Sequence, residues 1–367
     1  MGQEEWEAIR EPIFSGWVTQ GPKVAEFEKL FTARHQVKHA IAVSNCTTAL
    51  HLALVALGVK EGDEVIIPAF TWVATANAVL YCNATPVFVD IDIATFNIEP
   101  KEVAKKITAR TKAIIAVHLF GLCANVEAIK KIAPGIAIIE DAACAAGAAL
   151  NGNPAGSLGD IGCFSFHPRK SITTGEGGMI TTNNQEYAEK INMLRNHGAS
   201  VSEEQRHHGP KPYILPAFDM VGYNYRMTDL QGAVGIVQLK KLDKFIDERQ
   251  KWAEYYTNEL KNITWLKTPQ ISKEYRHGWQ SYVCMVDETK SPKPRNEVME
   301  YLQEKGVSTR PGTHAVHMLG YYSKKFGINP QHFPNSYKAN EYSIAIPLHN
   351  KMTEEDFEYV VQHLKNI

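Results

Sequence analysis

Short apolar runs alternate with amphipathic stretches through the first half of the chain. Runs at residues 40–44 (AIAVS), 64–68 (EVIIP), 85–90 (TPVFVD), 112–118 (KAIIAVH), 136–140 (IAIIE), 161–166 (IGCFSF) and 178–182 (GMITT) read as strands. They are short and almost continuously hydrophobic, as strands covered on both faces are. Between them, apolar positions recur at helical spacing over about 47–58, 72–82, 99–108, 125–132 and 185–196. This alternation predicts an α/β fold with a mostly parallel, doubly wound seven-stranded sheet flanked by helices. Upstream, residues 12–32 read as a loop punctuated by Gly16, Gly21 and Pro22, then a helix bearing Val24, Phe27, Leu30 and Phe31. A long amphipathic helix is predicted over about 228–261, as a bridge between domains. Beyond it a strand at 281–287 and helices at 294–305 and 353–365 suggest a smaller C-terminal α+β domain. The expected division is a large domain over 1–245 and a small one over 246–367. Residues 200–220 are polar and Pro-containing, and read as a surface or active-site loop.

Composition narrows the class. The 367 residues suffice for two domains. A hydrophobic content of 44% and a charged content of 22% are those of an ordinary globular protein. A formal net charge of −1 argues against nucleic acid or an anionic membrane as partner. Six cysteines (Cys46, Cys82, Cys123, Cys144, Cys163, Cys284) lack CxxC spacing and lie mostly in apolar runs, as reduced thiols of a cytoplasmic protein do. The acidic start MGQEEWEAIREPIF has no apolar core, so no signal peptide is expected. No apolar run approaches the roughly 18 residues of a membrane span, and no metal site is expected.

Ligands of such sheets bind at the carboxyl ends of the strands. Four places there carry chemistry. Ser44-Asn45-Cys46-Thr47-Thr48 joins a strand to a helix, whose free N–H groups and the hydroxyls of Thr47 and Thr48 suit a phosphate; simple capping by Ser44 or Thr47 is the plainer reading. Trp72 follows another strand end and could stack on a flat ring, although core packing is commoner for such an aromatic. Glu140 and Asp141 close a very apolar strand. A buried Asp141 needs a cationic or hydrogen-bonding partner, and a protonated ring nitrogen would serve. A helix cap, or a metal or ribose ligand in a Rossmann-like fold, are the other readings, but no GxGxxG follows the first strand. Finally, Lys170 lies 29 residues after Asp141, between two strands, ahead of a loop bearing Thr173, Thr174, Gly175, Gly177 and Gly178. Ser165 could add a hydroxyl to the phosphate end. A lysine that attacks a carbonyl needs burial or a positive neighbour, because only on the order of one free amine in a few thousand is neutral at pH 7. Arg169 and the apolar setting offer both. A phosphate cradle, a stacking aromatic, a carboxylate for a pyridinium and a lysine for an aldimine together describe the site of one cofactor.

The chain resembles the DegT/DnrJ/StrS family of sugar aminotransferases, within the fold type I pyridoxal-phosphate enzymes. The resemblance runs through SGWVTQGPKVAEFE, SNCTTALHLAL, PAFTWVATANAV, FVDIDIATFNI, AVHLFG, EDAACAAGA, GSLGDIGCFSFHPRK, TTGEGG, GYNYRMTDLQGA and IAIPLHNKM, and the lysine followed by TTGEGG is its most specific part. It implies that Lys170 carries the Schiff base of pyridoxal 5'-phosphate and shuttles protons, with pyridoxamine phosphate as the intermediate form. Asp141 would hold the pyridinium, Trp72 stack on the ring, and Thr47, Thr48 and Ser165 bind the phosphate. Asn224 would reach the phosphate of the partner subunit, since the family's sites are shared across a homodimer. The stretch RPGTHAVHMLGYY places Arg310, His314 and His317 where the family meets sugar, with surface or packing roles equally open for the two histidines. Cys144 stands where the family often has Gln or His, and Cys46 where Gly or Ala is usual.

The implied reaction moves an amino group from L-glutamate to a keto-sugar, foremost a nucleotide-linked 4-keto-6-deoxy sugar, in perosamine- or viosamine-type synthesis for surface polysaccharide. A 3-keto-sugar, a keto acid sugar or an aminocyclitol precursor are alternative acceptors. A sugar dehydratase of the same fold would carry histidine in place of Lys170. A non-catalytic binding protein would have lost Lys170 or Asp141 or gained a DNA-binding module.

Overall fold

A computed structural model describes residues 1–201, 213 and 215–367. Most of the 200–220 stretch therefore lies outside the described residues. The seven apolar runs form one sheet: β1 (His39–Val43), β2 (Glu64–Pro68), β3 (Thr85–Val89), β4 (Thr111–Val117), β5 (Ala137–Asp141), β6 (Ile161–Ser165) and β7 (Gly178–Thr182). Their order is β1-β7-β6-β5-β4-β2-β3. β7 runs antiparallel to both its neighbours, and the other pairings are parallel. Two cores sandwich this sheet, because alternate side chains of each strand point to opposite faces. One takes Ile41, Val65, Ile67, Ile115 and Ile139; the other takes Ala42, Ile66, Ile114, Ala116 and Ile138.

Four helices position the site. α1 (Pro22–His35) packs Phe27 and Phe31 against Phe164 and Phe166. α2 (Cys46–Ala56) follows β1 and is almost wholly buried. α3 (Val73–Tyr81) begins after Trp72. α4 (Asp229–Leu260) is one continuous helix of 32 residues. Its N-terminal part, through Ile246, sends Ile236, Leu239, Leu242 and Ile246 into the core beneath the sheet. Its last turns send Ala253, Tyr256 and Leu260 into a separate C-terminal core with Trp265, Tyr282, Val298 and Phe357. The expected division after residue 245 thus falls inside a helix that both cores share. The C-terminal core is built on a three-stranded antiparallel sheet, β8 (Leu266–Lys267), β9 (Tyr282–Val286) and β10 (Ser343–Ile346), in the order β8-β9-β10. Among the described residues no helix is long and apolar enough to cross a membrane.

Candidate active site

Strand register decides which groups meet. Asp141 ends β5, and its register partners are Val117 on β4 and Cys163 on β6. Ser165 ends β6 opposite Gly178, which itself lies opposite Val43 at the end of β1. Asp141, Ser165 and the start of α2 therefore share one edge of the sheet. The approach there is close: a Cβ on Gly178 would stand 2.6 Å from the Asn45 carbonyl carbon, so only glycine lets β7 lie against the start of α2.

Asn45, rather than Ser44 or Thr47, caps α2. Its side-chain oxygen accepts the Thr48 N–H at 2.9 Å, and the Thr48 hydroxyl donates to the Asn45 carbonyl at 2.7 Å. Thr47 is half-buried in the same first turn, and Ser165 is buried, its Oγ accepting the His167 N–H at 3.4 Å.

Asp141 is buried, and the donors on it are neutral and sparse. Thr75 Oγ1 donates to Oδ2 at 2.8 Å, and the Ala143 N–H reaches Oδ1 at 3.3 Å. Burial lifts its pKa above the ordinary aspartate value, against the pull of Thr75, Ala143, Lys170 and His118. Thr75 has no role in the sequence analysis, where nothing marks a threonine inside a helix pattern. Glu140 points to the opposite face. There it accepts from His118 Nε2 at 2.7 Å and from the Gly156 and Gly159 N–H groups at 2.8 and 2.6 Å. The Ala124 N–H donates to His118 Nδ1 at 3.0 Å, so the imidazole proton sits on Nε2, toward Glu140.

Lys170 follows β6 in a turn closed by its own N–H to the His167 carbonyl, at 2.9 Å. Its Nζ donates to Cys144 Sγ at 3.2 Å. Burial pulls the ammonium pKa down, but Cys144, Cys46 and Asp141 outweigh it and leave the amine above the ordinary lysine value. The expected depression by Arg169 is not found: that residue is exposed, where solvent screens its charge. α4 braces the lysine loop at three points. Gln231 Nε2 donates to the Glu176 carbonyl at 2.8 Å, Gln238 Oε1 accepts the Thr173 N–H at 3.2 Å, and Arg249 Nη1 donates to Ser171 Oγ at 3.3 Å.

The other expected residues are scattered around this edge. Trp72 is exposed, with its ring 5.5 Å from that of His314, because the two-residue strands Phe70–Thr71 and His314–Ala315 pair. Asn224 and Arg310 are exposed. His317 is not at the surface: it is fully buried, 4.7 Å from the Phe333 ring, and burial lowers its pKa. A ring with no exposed surface takes the packing role, the alternative open to it beside sugar contact.

The donor set fits pyridoxal phosphate. A buried carboxylate held by two neutral donors accommodates a ring cation, an amine stands on the same edge, and a helix start lies where only glycine permits the approach. Similarity to known proteins points the same way. The DegT/DnrJ/EryC1/StrS aminotransferase family profile matches residues 1–365. The chain is 38% identical to the spore coat polysaccharide biosynthesis protein SpsC of Bacillus subtilis, over 100% of this chain and 95% of that one. It is 38% identical to GDP-perosamine synthase of Caulobacter vibrioides, over 99% and 95%. Among solved structures, an aminotransferase from Psychrobacter cryohalolentis matches with a TM-score of 0.94 at 30% identity, over 100% of this chain and 96% of that one. The pyridoxal-phosphate form of Spr1654 from Streptococcus pneumoniae matches with a TM-score of 0.91 at 26% identity, over 100% and 96%. The chain belongs to the DegT/DnrJ/EryC1/StrS family and is a pyridoxal-phosphate-dependent sugar aminotransferase.

Proposed function

We propose that the protein transfers the amino group of L-glutamate to a nucleotide-linked 4-keto-6-deoxy sugar, in amino-sugar synthesis for surface polysaccharide. The observation that carries the reading is the shared edge on which buried Asp141, Ser165 and the start of α2 meet the lysine loop. The choice of acceptor is supported by 38% identity to GDP-perosamine synthase along 99% of the chain.

Each residue has a task. Pyridoxal phosphate, when bound, supplies an electron sink for the carbanion formed at the donor's α-carbon. Lys170 Nζ would hold the cofactor, and the same amine would carry the donor's α-proton. Asp141 keeps the ring nitrogen protonated, and that cation in turn offsets the cost of the buried carboxylate. Thr47, Thr48 and Ser165 donate to the phosphate. The Thr48 N–H is already taken by Asn45, so Thr48 contributes through its hydroxyl, turned away from the Asn45 carbonyl. Trp72 covers the ring face, and Arg310 and His314 meet the sugar nucleotide.

A second copy of the chain completes the site by lending Asn224. The exposed apolar side chains of Tyr81, Phe218 and Val221 support such an interface. The protein acts in the cytoplasm, where nucleotide sugars are made.

The test is an absorption spectrum before and after L-glutamate, repeated with Lys170→Ala. A near-visible band that moves to shorter wavelength with glutamate, and not in the variant, is the expected result. Product formation across a panel of nucleotide keto-sugars then identifies the acceptor. Activity on a 3-keto-sugar but on no 4-keto-sugar would replace the acceptor assignment.

A further inference from the structure

Cys144 differs from every other cysteine of the chain. Cys46, Cys82, Cys123, Cys163 and Cys284 are buried, and Cys144 alone is only partly so. The sulfur of Cys144 is also the one that touches an amine, with Lys170 Nζ at 3.2 Å. Burial drives the thiols of Cys46 and Cys163 well above their ordinary pKa, which keeps them protonated and unreactive. An oxidant entering this site therefore meets one accessible sulfur, in contact with the one lysine the proposed reaction uses.

We propose that Cys144 and Lys170 are a peroxide-sensitive pair, in which oxidation of the sulfur closes a covalent S–N bridge to the lysine and blocks it. In the first step the peroxide O–O bond breaks: the Cys144 sulfur takes one oxygen as sulfenic acid, and water leaves. In the second, neutral Lys170 Nζ attacks that sulfur. The S–N bond forms as the S–O bond breaks, and the departing hydroxide takes the amine proton as a second water. Sulfur is oxidised by two electrons and peroxide reduced by two. The protein loses one hydrogen from the thiol and one from the amine. A small thiol cleaves the S–N bond, freeing the amine and leaving a mixed disulfide on Cys144. A second thiol then releases the Cys144 thiol as the small-molecule disulfide departs. Closure needs the neutral amine, and the raised pKa of Lys170 makes it faster in alkaline than in neutral buffer. The bridge itself does not depend on the aminotransferase reading. Its consequence, loss of cofactor capture, does rest on it.

The experiment treats cofactor-free protein with hydrogen peroxide and follows intact mass, mapped peptides and the absorption band formed on adding pyridoxal phosphate. The expected result is a mass lower by two hydrogens and a peptide pair joining Cys144 to Lys170. The band is expected to be absent until dithiothreitol restores it. Cys144→Ser is expected to show neither the mass loss nor the peroxide sensitivity. Recovery of Cys144 as sulfinic acid beside an unmodified Lys170 would overturn the proposal. So would a disulfide from Cys144 to another cysteine, or equal sensitivity of Cys144→Ser. If untreated protein forms no band with pyridoxal phosphate, the aminotransferase reading fails, and peptide mapping still decides the bridge.

Discussion

Thr75 shows how one side chain conditions the chemistry of another. It sits in the first turn of α3, buried, and gives its hydroxyl hydrogen to Asp141 at 2.8 Å. Thr71 lies 3.0 Å behind it, so two hydroxyls in line lead to the carboxylate. A hydrogen bond to a charged group contributes about 1.5–3 kcal/mol, on the order of 10- to 100-fold in an equilibrium. Thr75→Val keeps the shape and removes the donor. We expect it to push the Asp141 pKa further up and to weaken cofactor binding by at least tenfold, with Thr75→Ser restoring most of the loss. Cofactor titration followed by absorbance at several pH values checks this; equal affinity of the valine variant would refute it. Lys170 and Asp141 are legible in the sequence because each closes or follows an apolar strand. Thr75 is not, because a threonine inside a helix pattern has no signature until the fold brings a carboxylate to it. His317, for which packing and sugar contact are equally open in the sequence, is decided by the fold alone. Its motif faces the site, but its own ring turns into the core beside Phe333.

At the scale of elements, the strands are legible and the helices held by distant contacts are not. The seven apolar runs match the sheet to within about a residue, because strands covered on both faces carry a continuous signal. Helices Gln3–Ala8 and Arg10–Ser15 read in the sequence only as an acidic start and a loop. Six-residue helices are not stable by themselves; the first is held because buried Glu5 accepts from Gln238 Nε2 at 3.0 Å and Lys241 Nζ at 2.7 Å. Helix Pro334–Tyr342 gives no apolar signal because its buried positions are Ser336 and Ala339. Asp90, distant in sequence, caps it by accepting the Asn335 and Ser336 N–H groups at 2.9 and 2.8 Å. The helix expected over 99–108 ends at Ala104. The start of α2 offers a graded test. Asn45→Ala removes a capping acceptor and is expected to cost about 1 kcal/mol in urea unfolding. Gly178→Ala drives a methyl into the Asn45 backbone and is expected to cost more. Equal midpoints for the two variants would contradict the close packing of β7 on α2.

Across the whole molecule, α4 joins the core beneath the sheet to the C-terminal core, and buried histidines within them tolerate no extra proton. His35, on α1, lies stacked 4.1 Å from Phe31; its Nδ1 donates to the Ala155 carbonyl at 2.9 Å, while its Nε2 is buried without a partner. His277 lies near the junction of the cores, and its Nδ1 accepts the Trp279 N–H at 2.7 Å. The Trp279 carbonyl in turn accepts from Arg249 at 3.3 Å, so this histidine adjoins the brace of the lysine loop. Protonating His35 would bury an unsatisfied N–H, and protonating His277 would break its bond to Trp279. Burial accordingly lowers the pKa of His35 to about 4 and of His277 to about 3. In an unfolded chain both titrate near 6.5, so between that value and about 4 the unfolded state binds protons the folded state refuses. Stability must fall as pH drops through this window. The linkage relation gives about 2 kcal/mol for each histidine between pH 7 and pH 5. Glu5, whose pKa its Lys241 and Gln238 partners hold at about 2 despite burial, adds its loss only below the ordinary glutamate range, in a separate window. Urea unfolding at pH 7, 6 and 5 is therefore expected to show a loss of at least about 4 kcal/mol in the wild type, these two rings adding to His51, His317 and His349, whose pKa burial also lowers. His35→Gln and His277→Asn, each uncharged throughout, are each expected to remove about 2 kcal/mol of that loss, whatever they cost at pH 7. A wild-type stability that stays flat from pH 7 to pH 5 would mean that the two rings take up protons without leaving their buried places.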